Sequence, residues 1–405
     1  MNPKPTVTGS NATPQGISRY DALTLYVMSG TGNSLRAARW AEQVAAALGM
    51  KTTLRMMDDP SPWPDSGTGT RQLVGLCMPT HGFSAPWLAI KFAARIPRAN
   101  GAEAFCVATR ASTKMGPWAT PGMSGSASWL IGLMLMLKGY SIRGLLGLDM
   151  PSNWLQVHPG FGPANIAFVA HKAKPRVIWL MDRMLSGHLG IPPAGFLYDL
   201  VSGALMLPVS VLYLLYGRLF FGKLFFATNR CDGCGLCEMS CPTQGVKVVG
   251  PGTPRPYWNY HCESCNRCVA YCPRHAIEIG HHWAIGLTVL SLVPFVPFVM
   301  SDAPIWTRWF DLLGLWGGVA AVIAFWYVGL LALYPLFFLA LKLRPVNWLA
   351  TFTAVTRFWR RHKDPNTRLA DLVPKQRREA WKQVGQRRRK ANTGPSSASE
   401  HAPKT

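Results

Sequence analysis

Two runs of the chain read alike: Cys231-Asp-Gly-Cys234-Gly-Leu-Cys237-Glu-Met-Ser-Cys241-Pro242 and Cys262-Glu-Ser-Cys265-Asn-Arg-Cys268-Val-Ala-Tyr-Cys272-Pro273. Each is C-x2-C-x2-C-x3-C-P, the bacterial spacing for thiolate-bound [4Fe-4S] clusters. Three thiolates in a tight loop cap three corners of one cubane. The fourth, displaced onto a following helix, points to the other cubane. Cys231, Cys234, Cys237 and Cys272 are therefore expected on one cluster, and Cys262, Cys265, Cys268 and Cys241 on the other. The competing reading is paired structural zinc, which also takes four thiolates. Zinc motifs rarely add the third cysteine and the Cys-Pro step, and here both occur twice. Full thiolate occupancy leaves no open iron, so each cluster carries single electrons and binds no substrate.

The rest of the chain sets the context. Of 405 residues 49% are hydrophobic and only 15% charged, below the roughly 25% of a soluble domain, which points to a membrane. Lys plus Arg is 42 against Asp plus Glu 19, a formal net charge of +23. Thr351–Thr405 holds 14 basic and 4 acidic residues, so +10 of that charge lies in the last 55 residues. Such a balance suits anionic lipid or nucleic acid. Arg387-Arg-Arg-Lys390 lacks interleaved aromatics and follows long apolar runs, so lipid is the expected surface and nucleic acid is not an expected partner. Redox proteins are. Met1–Gln15 lacks the layout of a signal peptide, which leaves the soluble parts in the reducing cytosol.

Upstream of the cysteines, short apolar runs alternate with helical patterns. Strands are expected at Leu23–Met28, Lys51–Met57, Leu73–Met78, Ala104–Ala108 and Leu145–Met150, and helices at Ser34–Leu48 and Trp129–Leu137. Crossovers of that length imply an α/β fold with a doubly wound parallel sheet. Asp149–Lys174 reads as less regular. Between the first strand and helix lies Ser29-Gly-Thr31-Gly32-Asn33-Ser34, whose amides and hydroxyls could converge on a phosphate monoester. It lacks the lysine of a nucleoside-triphosphate loop. A dinucleotide site is an alternative, with Asp58 ending the second strand, although Leu35 replaces the third glycine of that fingerprint. Two further loops leave strand ends on the same edge. Thr80, His81 and Phe83 lie on one; Ser112, Thr113 and Gly116 lie on the other. Both could border a flat ring, with Trp118, Phe83 or His81 on its faces.

These features together resemble the flavodoxin–ferredoxin fusion family, the EFR-type ferredoxins. The resemblance rests on Ser-Gly-Thr-Gly-Asn-Ser after a strand, Met150-Pro151-Ser-Asn153 after the fifth strand, and the doubled cluster motif. It covers roughly Tyr20–Gly280. It implies a flavodoxin-like sheet, a small α+β ferredoxin module with two clusters, and FMN held through Ser29, Thr31, Gly32, Asn33 and Ser34. It also implies electron transfer between flavin and clusters.

Soluble members of that family end near the second cluster, and this chain continues. Ile279–Ser301 and Leu312–Leu341 hold 23 and 30 residues without Asp, Glu, Lys or Arg, and each is long enough for a membrane-spanning helix. They are expected to form a transmembrane hairpin. Leu200–Gly217, 18 uncharged residues containing Pro208, reads as an interfacial, re-entrant or packed helix, because a span there would separate the flavin from the clusters. The expected organisation is a disordered lead 1–19, a flavodoxin-like domain 20–195, an apolar segment 196–227 and a ferredoxin module 228–280. A hairpin 281–345 and a basic, frayed tail 346–405 complete it. The connection Asp302–Asp311 has Arg308 as its one basic residue, so the Lys/Arg asymmetry puts the tail in the cytoplasm of a bacterial inner membrane. No acid/base or nucleophile constellation is visible. An electron carrier is the favoured reading, and a membrane reductase, for example of quinone, is its alternative.

Overall fold

In the computed structural model the described residues are 19–63, 71–250, 254–292 and 304–392. The apolar run after Asp21 forms β1 (Ala22–Val27), followed by α1 (Asn33–Ala47), β2 (Lys51–Met56), β3 (Gln72–Pro79) and α2 (Trp87–Arg95). Then come β4 (Glu103–Ser112), a small hairpin of β5 (Lys114–Met115) and β6 (Trp118–Ala119), α3 (Ala127–Leu137), β7 (Ser141–Pro151) and α4 (Pro163–Leu185). Five strands lie parallel in the order β2-β1-β3-β4-β7. The central strands β1, β3 and β4 are buried on both faces, as a parallel sheet requires, while β2 is a half-exposed edge. Leu35, Ala38 and Ala41 of α1 and Val177, Leu180 and Met181 of α4 cover one face. Leu88 and Phe92 of α2 and Ile131 and Leu135 of α3 cover the other. Strand order reverses between β1 and β3, so the loops after them flank the crevice where such sheets bind ligands.

The irregular stretch expected over Asp149–Lys174 is corrected by α4, which begins at Pro163. Val169, Ala170, Ala173, Val177 and Leu180 recur at helical spacing and are all buried. Pro163 sits in the first turn, where its missing N–H costs nothing, and Pro175 lies inside the helix.

The apolar segment after the sheet domain is two helices, α5 (Pro193–Leu205) and Leu207–Lys223, bent by 67°. The break falls at Met206, because Pro208 lacks the N–H that would continue the helix onto the Ala204 carbonyl and sits instead in the first turn of a new helix. Its polarity is inverted. Asp199, Ser202 and Ser210 are buried, while Leu197, Leu200, Val201, Leu205, Val209 and Val211 are exposed. Asp199 pairs with Arg110 of β4 at 2.8 Å, which fixes α5 to the sheet.

The cysteine module is framed by two antiparallel ribbons, β8 (Phe225–Ala227) with β11 (Ile277–Ile279), and β9 (Val246–Val249) with β10 (Arg255–Trp258). Three helices follow: His281–Leu292, Pro304–Ala340 and Arg344–Thr353. Trp283 stacks on Phe337 at 3.7 Å, joining the first two. Among the described residues no single helix is long and apolar enough to cross a membrane. Two bent pairs meet that test together: the 193–223 pair, and Trp326–Ala340 with Arg344–Thr353 at 110°. The expected span Ile279–Ser301 lies outside the described residues beyond Leu292. The expected connection at Asp302–Asp311 is helical from Pro304, and Gly314 (φ 61, ψ −172) interrupts the long helix.

Beyond Trp359, where the sequence leads one to expect fraying, the described residues include the turn Leu369–Leu372 and the helix Lys375–Asn392. The tail's cations find carboxylates far away in sequence: Arg361 pairs with Glu278 at 2.9 Å and Arg377 with Asp58 at 2.8 Å. Its Asp364 and Asp371 accept from Arg36 and Arg39 of α1 at 2.8 and 3.1 Å.

Candidate metal centre and the sheet edge beside it

The helix Leu236–Ser240 carries Cys237, and Cys241 follows its end. Arg267–Ala270 carries Cys268, and Cys272 follows likewise. The two loops face each other, and each fourth cysteine crosses over. Cys231, Cys234, Cys237 and Cys272 line one cavity, which Cys268 of the other set lines as well. Cys231 and Cys234 have Cys272 as an electrostatic neighbour, and Cys262, Cys265 and Cys268 all have Cys241. The sets adjoin where Cys237 meets Cys268. Burial, then the neighbouring thiols, push Cys237 and Cys262 well above the usual thiol range. Burial raises Cys265 to about 11. Thiols crowded in this way become thiolates only against metal charge.

Among the described residues no three Cys, His, Asp or Glu side chains converge on one ion position. Structural zinc needs four ligands about 2.3 Å from a single ion. A cubane instead spreads its four thiolates over four irons, and the crossed, doubled cysteine spacing is of that kind. Backbone amides of Gly245 and Ala276 donate to Cys241 and Cys272 Sγ at 3.1 and 3.3 Å.

The module is locked to the sheet domain by Arg267, which is 1% exposed. Its guanidinium donates to the carbonyls of Ser240 (2.6 Å), Leu372 (3.0 Å) and Ser29 (2.7 Å). One side chain thus ties together both cysteine loops, the C-terminal segment and the loop after β1. Gly30 is required there, because a Cβ would overlap the Cys265 carbonyl.

That packing decides how the Ser29–Ser34 loop stands toward FMN. Ser29 Oγ accepts from the Gly32 amide, Thr31 Oγ1 from Asn153, and Ser34 Oγ shares a hydrogen bond with Thr109. Asn33 donates to the Pro151 carbonyl at 2.7 Å, which gives the Met150–Asn153 turn its role. A strap from the C-terminal segment lies over the loop. The Asp364 amide donates to the Thr31 carbonyl at 2.8 Å, and His362 Nε2 contacts Asn33 Oδ1 at 3.1 Å. Asp364 Cβ packs against Gly32, and its carboxylate accepts from Arg36 and Thr367, so the strap fills the space over the loop where a phosphate is expected. In this arrangement the loop does not fit an FMN phosphate. Asp58, the candidate ribose partner of a dinucleotide, is held by Arg377.

The ring-edge loops differ from one another. Thr80 Oγ1 and His81 Nδ1 are buried without a hydrogen-bond partner, and burial pulls the His81 imidazole down to about 4. The His81 ring faces Tyr213 of the bent helix pair at 6.4 Å, and the Phe83 carbonyl accepts from the Ser126 amide. The other loop closes on itself. Ser112 Oγ donates to the Thr120 carbonyl, Asn165 donates to Thr113 Oγ1, and Gly116 turns the β5–β6 hairpin. Trp118 is 76% exposed and covers nothing. Sequence reading missed Arg267, Lys223 and the strap residues His362 and Asp364. An acid in a basic tail was the available signal for the last of these.

A 4Fe-4S binding domain model matches residues 225–247. The chain is 30% identical to an uncharacterized protein of Methanocaldococcus jannaschii over 86 residues, 21% of this chain and 32% of that protein. It is 33% identical to the trichloroethene reductive dehalogenase of Dehalococcoides mccartyi over 79 residues, 16% of this chain and 14% of that enzyme. The chain thus spans a third or less of the curated relatives it matches. It is an iron–sulfur protein with a ferredoxin-type module.

Proposed function

We propose that this chain is a membrane-held electron-transfer protein whose eight thiolates bind two [4Fe-4S] clusters. When bound, such clusters supply one-electron transfer. The observation that carries the reading is the crossing of the two cysteine sets, which adjoin at Cys237 and Cys268. Protein residues do the positioning. Arg267 fixes the module on the sheet edge, and Trp381 packs over Gly235 beside the outer loop. The sheet is read as flavodoxin-like because its strands run second, first, third, fourth, fifth.

Membrane attachment is supported by the inverted polarity of residues 193–223. Leu343, Trp348, Leu349 and Phe352 add to that exposed apolar surface. A patch of this extent calls for an apolar partner, and we assign it to lipid. The thiolates suit the reducing side, so the soluble modules would face the cytoplasm of a bacterial inner membrane and meet redox proteins there. The likeness to a dehalogenase covers too little of that enzyme to extend its chemistry here. The test is anaerobic membranes from cells making the full chain. Carbonate washing should leave the protein in the pellet, with a visible absorption that bleaches on reduction. Release by salt would overturn the attachment, and absence of a bleachable chromophore would overturn the electron-transfer role.

A second reading adds FMN, favoured by the unpartnered Thr80 Oγ1 and His81 Nδ1. It requires the 360–367 strap to leave the Ser29–Ser34 loop. Asp364→Ala protein should then bind FMN more tightly than the parent. Equal, negligible binding by both would remove flavin from the account.

A further inference from the structure

We propose that Lys223 is a fixed cation that raises the reduction potential of the cluster held by Cys262, Cys265, Cys268 and Cys241. The inference rests on the two-cluster reading above. Lys223 ends the bent helix pair and is 0% exposed. Its Nζ donates to the Trp258 carbonyl and lies 3.8, 4.2 and 5.2 Å from the ring centres of Tyr260, Tyr334 and Tyr257. These faces favour a cation, yet none carries a countercharge. Among the described residues its one charged neighbour of weight is Cys262. Glu263, next in sequence to Cys262, turns instead toward Lys91 and Arg218.

A buried cation without an anion is strongly destabilising, so the fold must supply one. Gly222 brings the helix end directly onto Cys262: a Cβ there would lie 3.0 Å from Cys262 Cβ and 3.2 Å from its Sγ. A cubane on four thiolates is net negative, and one unit more so when reduced. Its charge is the missing partner of Lys223. A fixed positive charge one residue from that contact, in a dry site, favours the reduced state. Burial pulls the Lys223 ammonium down to about 7; the negative cluster beside it is what would hold its proton while reduction adds one electron to the cluster. Because Tyr334 belongs to the helix Pro304–Ala340, the cage joins this cluster to the apolar helices as well.

The experiment is an EPR-monitored redox titration of the full chain in detergent, preceded by iron and sulfide counts. The parent, Lys223→Met and Lys223→Arg are compared. A parent with fewer than about eight irons would sink the two-cluster reading itself. With that count met, Lys223→Met should lower the reduction constant of one cluster at least tenfold, which is 59 mV for one electron. The other cluster should move less, and Lys223→Arg should stay near the parent. If Lys223→Met instead loses one cluster while Lys223→Arg keeps both, the countercharge role also stands. Unchanged potentials in Lys223→Met, or equal loss in both variants, would overturn it.

Discussion

The two cysteine sets have the same spacing and opposite surroundings. Around Cys231, Cys234, Cys237 and Cys272 open charges join the buried Arg267, which lines this cavity as well. Cys234 is exposed, and Arg274 pairs with Asp232 where both are open to water. Around Cys241, Cys262, Cys265 and Cys268 the charges are sealed in, with Lys223 at 0% and Arg267 at 1% exposure. The Cys265 carbonyl rests on the sheet edge, and Cys262 rests on the apolar helix pair. Identical ligand grammar therefore does not mean identical roles. In the proposed scheme the open set meets soluble partners, and the sealed set connects to the sheet edge and the lipid side.

Ligand removal should break the comparison most severely. Cys272→Ala should cost the cluster of Cys231, Cys234 and Cys237, although its sequence neighbours are Cys262, Cys265 and Cys268. Cys241→Ala should cost the other. Iron analysis with EPR of each variant checks this, and loss of the cluster nearest in sequence would refute the crossing.

Next in size is Arg267→Met. It strands three buried carbonyls and should lower stability by roughly 3–5 kcal/mol, read as thermal unfolding of the loaded protein. Lys should rescue little, since an ammonium cannot reproduce the fork. A loss no larger than for an exposed arginine would mean that the modules dock by other contacts.

The strap supplies a pH test. Burial, outweighing Asp364, lowers the His362 imidazole to about 4 from 6.5. Between those values the unfolded chain binds a proton that the folded chain does not, so stability falls as pH drops from about 6.5 toward 4. At about 1.4 kcal/mol per unit, His362 contributes at most roughly 3 kcal/mol to that slope. Hydrogen exchange at 360–367 should quicken across this window, and His362→Asn should flatten the change. An unaltered slope in the variant would move the effect to another group, such as His81. The smallest effect is expected at the open set, where Arg274→Ala should leave the unfolding temperature unchanged.

How far the sequence could be read follows from the same contrast. The cysteines were legible because a cluster dictates spacing within a dozen residues. The parallel sheet was legible because each strand is a short apolar run with breakers around it. Helix α4 was hidden by Pro163 and Pro175 and by lysines on its outer face, although Val169, Ala173, Val177 and Leu180 keep helical spacing. The tail was misread because its charges were judged locally. Arg361 answers Glu278 and Asp364 answers Arg36 across more than eighty and three hundred residues, and no local pattern announces that. The phosphate loop shows the converse: Ser29–Ser34 has the right residue types, but its hydroxyls are taken up by the Gly32 amide, Asn153 and Thr109, and Asp364 packs over Gly32.

The most direct measurement is Mössbauer spectroscopy, with iron, sulfide and zinc counts, on full-length protein prepared anaerobically. The account expects about eight irons and eight sulfides in two cubanes, both reducible by one electron. A single four-iron cluster, or stoichiometric zinc in place of iron, would contradict it.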